Sequence, residues 1–481
     1  MPLNRWAFGL VVFLCLGVVS WAYQETFLSL HNIWTENNHT YSHGYVLLAF
    51  SIYAMYIDRR WLIPSPSFSA CLLGLVIGAL WFAAVSVQVR LVQQMLVPVI
   101  IFYLLISIVG FRNAFKAAVP VFSLYLAIPV ADFFLDPLQD LTTFIVSIFV
   151  RLSGITAFID GYDIHLPYGV MRIADGCAGL NYMLAGVCMG VFYGYLNLQM
   201  WRHKVFALLL IAIFALVGNW IRVYLLIMIG YYSEMQSSLV HEHGFFGWVT
   251  FAILLAIYFF LMEWFTRKYT NNTTEVQAPK LPKFTTRNYV ALSLAVFTLV
   301  LFPLYKSVQT NKSLVVEEFH INVPDGFVVQ SNDRFSAKGV NFTGSDFNAV
   351  YSKPLSQSVA TLFVSSYMNQ AQGKELIYFA NTVGNQLEDV SVIKGELGPV
   401  NIAKKRKTDG YVLWVFKVAE DTAIGDLQTK LLQLKHSLDG GPSSALVLHI
   451  DCNKQCDKTV SKTELELYAD MLYSISVKVG R

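Results

Sequence analysis

Charge is what this sequence has least of. Only 14% of its 481 residues are charged, against roughly a quarter in soluble globular chains, so a wholly soluble protein is excluded. Neither sign dominates: 35 Lys and Arg against 32 Asp and Glu leave a net +3. That balance is too small and too dispersed for a nucleic-acid-binding surface. Cysteine is also scarce, with six residues at positions 15, 71, 177, 188, 452 and 456 in no metal-ligand spacing. Cys15, Cys71 and Cys188 lie inside apolar runs, where a cysteine behaves as a small hydrophobe. Cys452 and Cys456, in "DCNKQC", are candidates for a local disulfide if their domain lies outside the cytoplasm. The sequence holds neither a nucleotide-binding loop nor a metal cluster, and no cofactor is expected.

What the chain does have is apolar residues, 55% of the total, with 10 Trp and 25 Tyr suited to interfacial belts. Apolar windows near bilayer-spanning length recur up to about residue 305, after which the text becomes ordinary soluble protein. The fold class expected is an α-helical polytopic membrane bundle of about 8–10 spans, followed by a soluble α+β domain. Candidate spans are 6–23, 45–57, 68–87, 94–111, 117–135, 178–199, 205–230, 246–265 and 287–305, with 138–153 either a further span or an interfacial helix. The opening "MPLNRWAFGLVVFLCLGVVSWAY" resembles a signal peptide, but its run is long and no small-x-small cleavage site follows; it reads as a retained first span.

Basic residues fall at Arg5, "DRR" 58–60, "FRNAFK" 111–116, "WRHK" 201–204 and "TRK" 266–268. These are alternate loops of the nine-span arrangement, and the positive-inside rule puts them in the cytoplasm. Arg90 and Arg151 run against the bias. The segments 24–44, 88–93, 136–177, 231–245 and everything after 305 then face outward.

Three polar features meet on that outer side. Cys177, in "ADGCAGLNYM", stands at the start of a span, where free N–H groups and the positive helix end favour a thiolate. Arg222, in "GNWIRVYLLIMIGYY", lies within the next outward span, where an arginine is costly and faces a protein interior or a watery cavity. Asn219 shares its face three residues earlier. His241 and His243, in "VHEHGFFGWVTF", stand at the following border as candidate proton carriers. Each also has a plain structural reading: a packed thiol, an arginine paired with a buried carbonyl or acid, an incidental histidine. Together they would supply a nucleophile, a cationic stabiliser and a base, sufficient for acyl transfer through a thioester. The stretch "GYDIHLPYGVMRIADGC" before the cysteine fits a short hairpin, able to roof the site or receive an extended strand.

The boxes "DGCAGLNYM", "NWIRVYLL" and "HGFFGWVTF", with "YSHGYVLL" at 41–48, resemble the exosortase/archaeosortase family in order, spacing and sidedness across residues 1–270. The resemblance implies a sortase-like membrane cysteine transpeptidase with Cys177, Arg222 and His243 as its catalytic residues. His243 is preferred to His241 because it stands four residues before "GW". Asn219, His43 and Asp175 are expected in support: Asn219 orienting Arg222, His43 shaping the motif pocket, and Asp175 capping the local turn or backing the thiol. The implied substrates are exported proteins with a Pro-Glu-Pro C-terminal sorting tail, transferred to an acceptor linked to extracellular polysaccharide. The implied location is the bacterial inner membrane, with membrane lipid and exopolysaccharide machinery as surroundings. Hydrolysis without transfer, or a non-catalytic polysaccharide-export subunit, are the competing readings. The stretch "YMNQAQGKEL" makes the C-terminal part similar to the exosortase-A-associated domain. The expected organisation is therefore a catalytic membrane domain over 1–270, a linker with one more span over 271–306, and a periplasmic α+β domain over 307–481.

Overall fold

The computed structural model describes residues 5–36, 40–241, 244–269, 284–310, 318–331, 335, 338–355 and most of 357–480. His243 lies outside the described residues, as does Cys456. Contacts divide the chain into two units, one of residues 1–81 with 90–304 and one of residues 82–89 with 305–481.

The first unit is helical. α1 (Arg5–Ala22) and α2 (Gln24–Thr35) meet at an 84° bend. The bend residue, Tyr23, is fully buried, and its hydroxyl donates to the Leu299 carbonyl at 2.9 Å. α3 (Gly44–Ile57), α4 (Cys71–Ser86) and α5 (Arg90–Val109) follow, then α6 (Leu135–Leu152), α7 (Leu180–Asn197), α8 (Trp201–Tyr232), α9 (Gly244–Tyr269) and α10 (Thr286–Thr310). By length and apolarity five of the described helices can cross a membrane, or six if the bent pair is one span. α3 and α4 are apolar but shorter.

Two expectations about spans need correction. Residues 117–135 are no continuous span but a series of short turns, Ala118–Phe122, Ser123–Ala127 and Ala131–Phe134. Proline explains the break: Ile128, just before Pro129, is extended at φ −113°, ψ 141°, as the proline ring demands of its predecessor. In its place residues 131–152 are long and apolar enough to span. The stretch 24–44, expected as a loop, contains α2. Its buried polar groups are satisfied: Trp81 Nε1 donates to Thr26 Oγ1 at 3.0 Å and Gln94 Nε2 to Ser29 Oγ at 2.6 Å.

Between α6 and α7 the chain forms a three-stranded antiparallel sheet, β1 (Phe158–Asp160), β2 (Asp163–Leu166) and β3 (Gly169–Arg172). Ile164 and Leu166 pack with Val146 and Val150 of α6 and with Val223 and Ile227 of α8. The anticipated hairpin is therefore present, docked on two helices.

The second unit is β-rich, as expected of an α+β domain. Its strands are β4 (Glu318–Asn322), β5 (Val328–Gln330), β6 (Val340–Asn341), β7 (Phe347–Pro354), β8 (Ser358–Tyr367), β9 (Thr382–Val383), β10 (Leu387–Lys394), β11 (Pro399–Lys405), β12 (Gly410–Val418), β13 (Asp421–Ala423), β14 (Ser443–Cys452) and β15 (Ser476–Gly480). The main sheet runs β10-β11-β12-β14-β8-β7-β5, with β13 paired to β12. Its central strands are buried on both faces. Leu413 and Val415 enter one core and Val412 and Phe416 the other, which is why "YVLWVF" is continuously apolar. The helices α11 (Asp426–Lys435) and α12 (Lys462–Ser474) complete the unit; α12 buries Leu465, Ala469 and Leu472 in the first core. Cys452 is disulfide-bonded, while Cys15, Cys71, Cys177 and Cys188 carry free thiols.

Candidate active site

Cys177 does not open the helix after it. It ends a 3-10 turn, Asp175–Cys177, and α7 starts three residues later behind Gly179, which holds φ +94°. Only glycine takes that conformation without strain. Space imposes the same residue, because a Cβ at Gly179 would sit 2.9 Å from Asn219 Nδ2. The chain thus turns tightly between the thiol and the helix.

The loop carrying the thiol is held by its carbonyls. Gln139 Nε2 of α6 donates to Ile173 O at 2.6 Å, Asn219 Nδ2 of α8 to Cys177 O at 2.7 Å, and Thr142 Oγ1 of α6 to Ala178 O at 3.2 Å. All three donor side chains are buried. Each bond satisfies a carbonyl that an irregular segment would otherwise leave unpaired at considerable cost. The Cys177 side chain itself is half-buried and packs at the edge of the cluster formed by α6, α8 and the β-hairpin.

Asn219 and Arg222 share one buried face of α8, as their spacing predicts, at 1% and 5% exposure. The Arg222 guanidinium lies over the Tyr182 ring, 5.5 Å from its centroid. Among the described residues its Nε and Nη1 are buried without a hydrogen-bond partner, and so is Asn219 Oδ1. Tyr182 packs in turn against Phe251 of α9, with centroids 5.2 Å apart and the rings tilted by 36°. Beside them Gly247 of α9 has no room for a side chain: a Cβ there would meet the Tyr182 hydroxyl and lie 2.8 Å from Arg222 Nε. A small cavity lies among Tyr182, Asn219, Arg222, Gly247 and Phe251. Asn219 therefore links the two halves of the site, with one end on the backbone of the cysteine and the guanidinium one turn further along its helix.

His43 and Asp175 have other surroundings. His43 precedes α3, and its Nε2 lies 3.2 Å from Leu126 O, tying the loop to the broken segment after α5. Burial lowers its pKa, against hydrogen bonds to the Leu126 and Thr40 backbones that raise it. Its neighbour Tyr41 donates to Asp132 Oδ1 at 2.7 Å and packs with Ala178 and Leu180, so the segment supports the cysteine loop from behind. Asp175 is not a cap. It is exposed within its turn, whose cap position is Ala174, and α7 is preceded by Gly179. His241 ends a short helical turn, Ser238–His241, and His243 directly precedes α9 in the sequence.

Sequence reasoning missed four participants: Gln139, Thr142, Tyr182 and Gly247. A glutamine and a threonine at three-residue spacing on the face of α6 otherwise formed by Leu138, Val146 and Val150 were a usable signal. The Tyr182–Gly247 contact depends on how α7 and α9 cross, which no local pattern encodes.

These features define a multi-pass helical membrane protein with a free cysteine whose backbone is bonded by Asn219 from the helix that carries a buried arginine, the Nε and Nη1 of that arginine being unpartnered among the described residues. Residues 34–260 match the family model described as transmembrane exosortase. The matched stretch contains Cys177, Arg222 and His243 and ends within α9. The comparison with curated proteins and the comparison with solved structures each return no significant match.

Proposed function

We propose that this chain is a membrane cysteine transpeptidase of the exosortase type. On this reading it cleaves the C-terminal Pro-Glu-Pro-type sorting tail of exported proteins and transfers them to an acceptor linked to extracellular polysaccharide. The observation that carries the reading is the Asn219 bridge: one buried amide bonds the Cys177 backbone at 2.7 Å and shares a helix face with Arg222, whose Nε and Nη1 are free of partners among the described residues. A guanidinium that only stabilised the fold would spend those donors on a carboxylate or carbonyl. The match of residues 34–260 to the transmembrane exosortase family supports the same reading.

The chemistry runs as follows. The Cys177 thiolate attacks the scissile carbonyl of the substrate, and Arg222 donates to the oxyanion that develops. The C–N bond then breaks, the leaving amine takes a proton from His243, and the substrate remains as a thioester on Cys177. An acceptor nucleophile, deprotonated by His243, attacks the thioester and releases the thiolate. Water in that role gives hydrolysis instead, and the product mass separates the two.

Depth supports a site at the membrane border. From Trp201 to Arg222 α8 rises about 32 Å at 1.5 Å per residue, close to the roughly 30 Å hydrocarbon core. The remaining turns of α8, to Tyr232, pack against the β-hairpin. With the basic loops in the cytoplasm of a bacterial inner membrane, the thiol and the C-terminal unit face the periplasm. The Cys452 disulfide favours that side, since such bonds persist in oxidising compartments.

The test is a Pro-Glu-Pro-tailed reporter expressed with the protein. Cys177→Ala and Cys177→Ser abolish its processing on this account. Undiminished processing by either variant removes the cysteine from the mechanism.

A further inference from the structure

We infer that Tyr182 is the positioning residue that seats the Arg222 guanidinium, with Gly247 as the space that admits it. The inference rests on the reading of Arg222 as the group that stabilises the oxyanion, and names what holds it in place.

Three observations converge. Arg222 is 5% exposed, and its Nε and Nη1 bond to nothing among the described residues. No salt bridge fixes it among the described residues either. What it has is a ring: its guanidinium carbon lies 5.5 Å from the Tyr182 centroid, within the range where a cation is held by an aromatic face. That attraction is strongest where water is excluded, and it leaves the N–H groups free. A carboxylate would hold the arginine more firmly but would occupy those donors and neutralise the charge an oxyanion needs. An aromatic face orients the cation without consuming it.

The ring is itself fixed. Phe251 of α9 packs against it with centroids 5.2 Å apart and the rings tilted by 36°, and Phe251 is buried. One turn earlier on the same helix, Gly247 brings bare backbone against both the Tyr182 hydroxyl and Arg222 Nε. Tyr182 also stands five residues after Cys177, in the first turn of α7. The same short stretch therefore presents the thiol and the platform for its cation, and a shift of α7 moves both together.

The experiment compares single-site variants of the full-length protein in membranes, each at matched abundance, by kcat and KM on the tailed reporter. Tyr182→Leu keeps an apolar side chain but removes the ring face, and kcat falls about 10-fold or more with KM little changed. Tyr182→Phe keeps the face and restores kcat to within about threefold of wild type. Gly247→Ala sets a methyl against the phenolic oxygen and lowers kcat, and adding Tyr182→Phe, which removes that oxygen, recovers part of the loss. This pair decides the matter if Tyr182→Leu does not accumulate. The inference is overturned if Tyr182→Leu works at the wild-type rate, if Tyr182→Phe is as impaired as Tyr182→Leu, or if Tyr182→Phe fails to relieve Gly247→Ala. Arg222→Gln, measured alongside, separates the two layers. If it processes normally the function proposed for Arg222 falls, whereas an inactive Arg222→Gln beside a fully active Tyr182→Leu sinks this inference alone.

Discussion

Replacing Asn219 with alanine cuts the link between the two halves of the site. In the intact protein its Nδ2 donates to Cys177 O at 2.7 Å and the side chain is 1% exposed. Removing the amide leaves the Cys177 carbonyl without that donor, a cost of about 1–3 kcal/mol for a buried acceptor. Part of this is returned, because Asn219 Oδ1 is itself buried without a partner among the described residues and disappears with the substitution. A net loss of about 1–2 kcal/mol follows. If it falls on the placement of the thiol relative to the oxyanion, the rate drops roughly 5- to 30-fold. Steady-state cleavage of the tailed reporter at saturating substrate reads the effect, with membrane abundance of the variant held equal. Alkylation of Cys177 by a small thiol reagent provides a second signal, and its rate changes as the loop loosens. The reasoning is refuted if Asn219→Ala cleaves at the wild-type rate and its thiol alkylates as before.

Other substitutions probe the same architecture. Gly179→Ala forces φ +94° on a residue with a Cβ and brings that atom to 2.9 Å from Asn219 Nδ2; thermal inactivation in detergent should come several degrees lower, and an unchanged midpoint contradicts the close approach. Gln139→Ala removes the 2.6 Å bond to Ile173 O and should raise proteolytic nicking in 173–179 while α7 remains protected. In the second unit, His449 is buried with its pKa lowered from 6.5 to about 4, chiefly by desolvation. The unfolded chain binds that proton first as pH falls, so the histidine's contribution is whole above about pH 6.5 and is lost between there and about pH 4, up to about 3 kcal/mol. Amide exchange in β14 should accelerate over that window beyond its intrinsic pH dependence, and His449→Phe should flatten the change; an equal slope in both proteins would exclude His449 as the cause.

Much of the fold is legible in the residues, for physical reasons that also explain the failures. The central strands of the C-terminal unit announce themselves because both faces are buried, and "SVATLFVSSYM" and "YVLWVFKV" carry apolar side chains without alternation. The pairing of Asn219 with Arg222 follows from helical spacing alone. Residues 117–135 mislead because hydropathy counts apolar side chains and ignores the backbone, while Pro129 forces Ile128 into an extended conformation that ends the helix. α2 hides for the opposite reason: Gln24, Glu25, Ser29, His31 and Asn32 give it the look of a loop, although its buried polar groups bond to other helices. Cys177 was expected at the start of a span, directly before a helix beginning at 178. Gly179 was visible two residues later, and its positive φ sets the thiol on the preceding turn instead. Tyr182 and Gly247 stayed silent because their meaning lies in the crossing of two helices.

The central claim is that Cys177 becomes acylated by substrate. The most direct measurement is mass spectrometry of Cys177 in the wild-type protein after brief reaction with the tailed reporter and an acid quench. The account predicts the reporter joined to that peptide by a bond that hydroxylamine cleaves. An unmodified Cys177 in a preparation that is visibly shortening the reporter would contradict it.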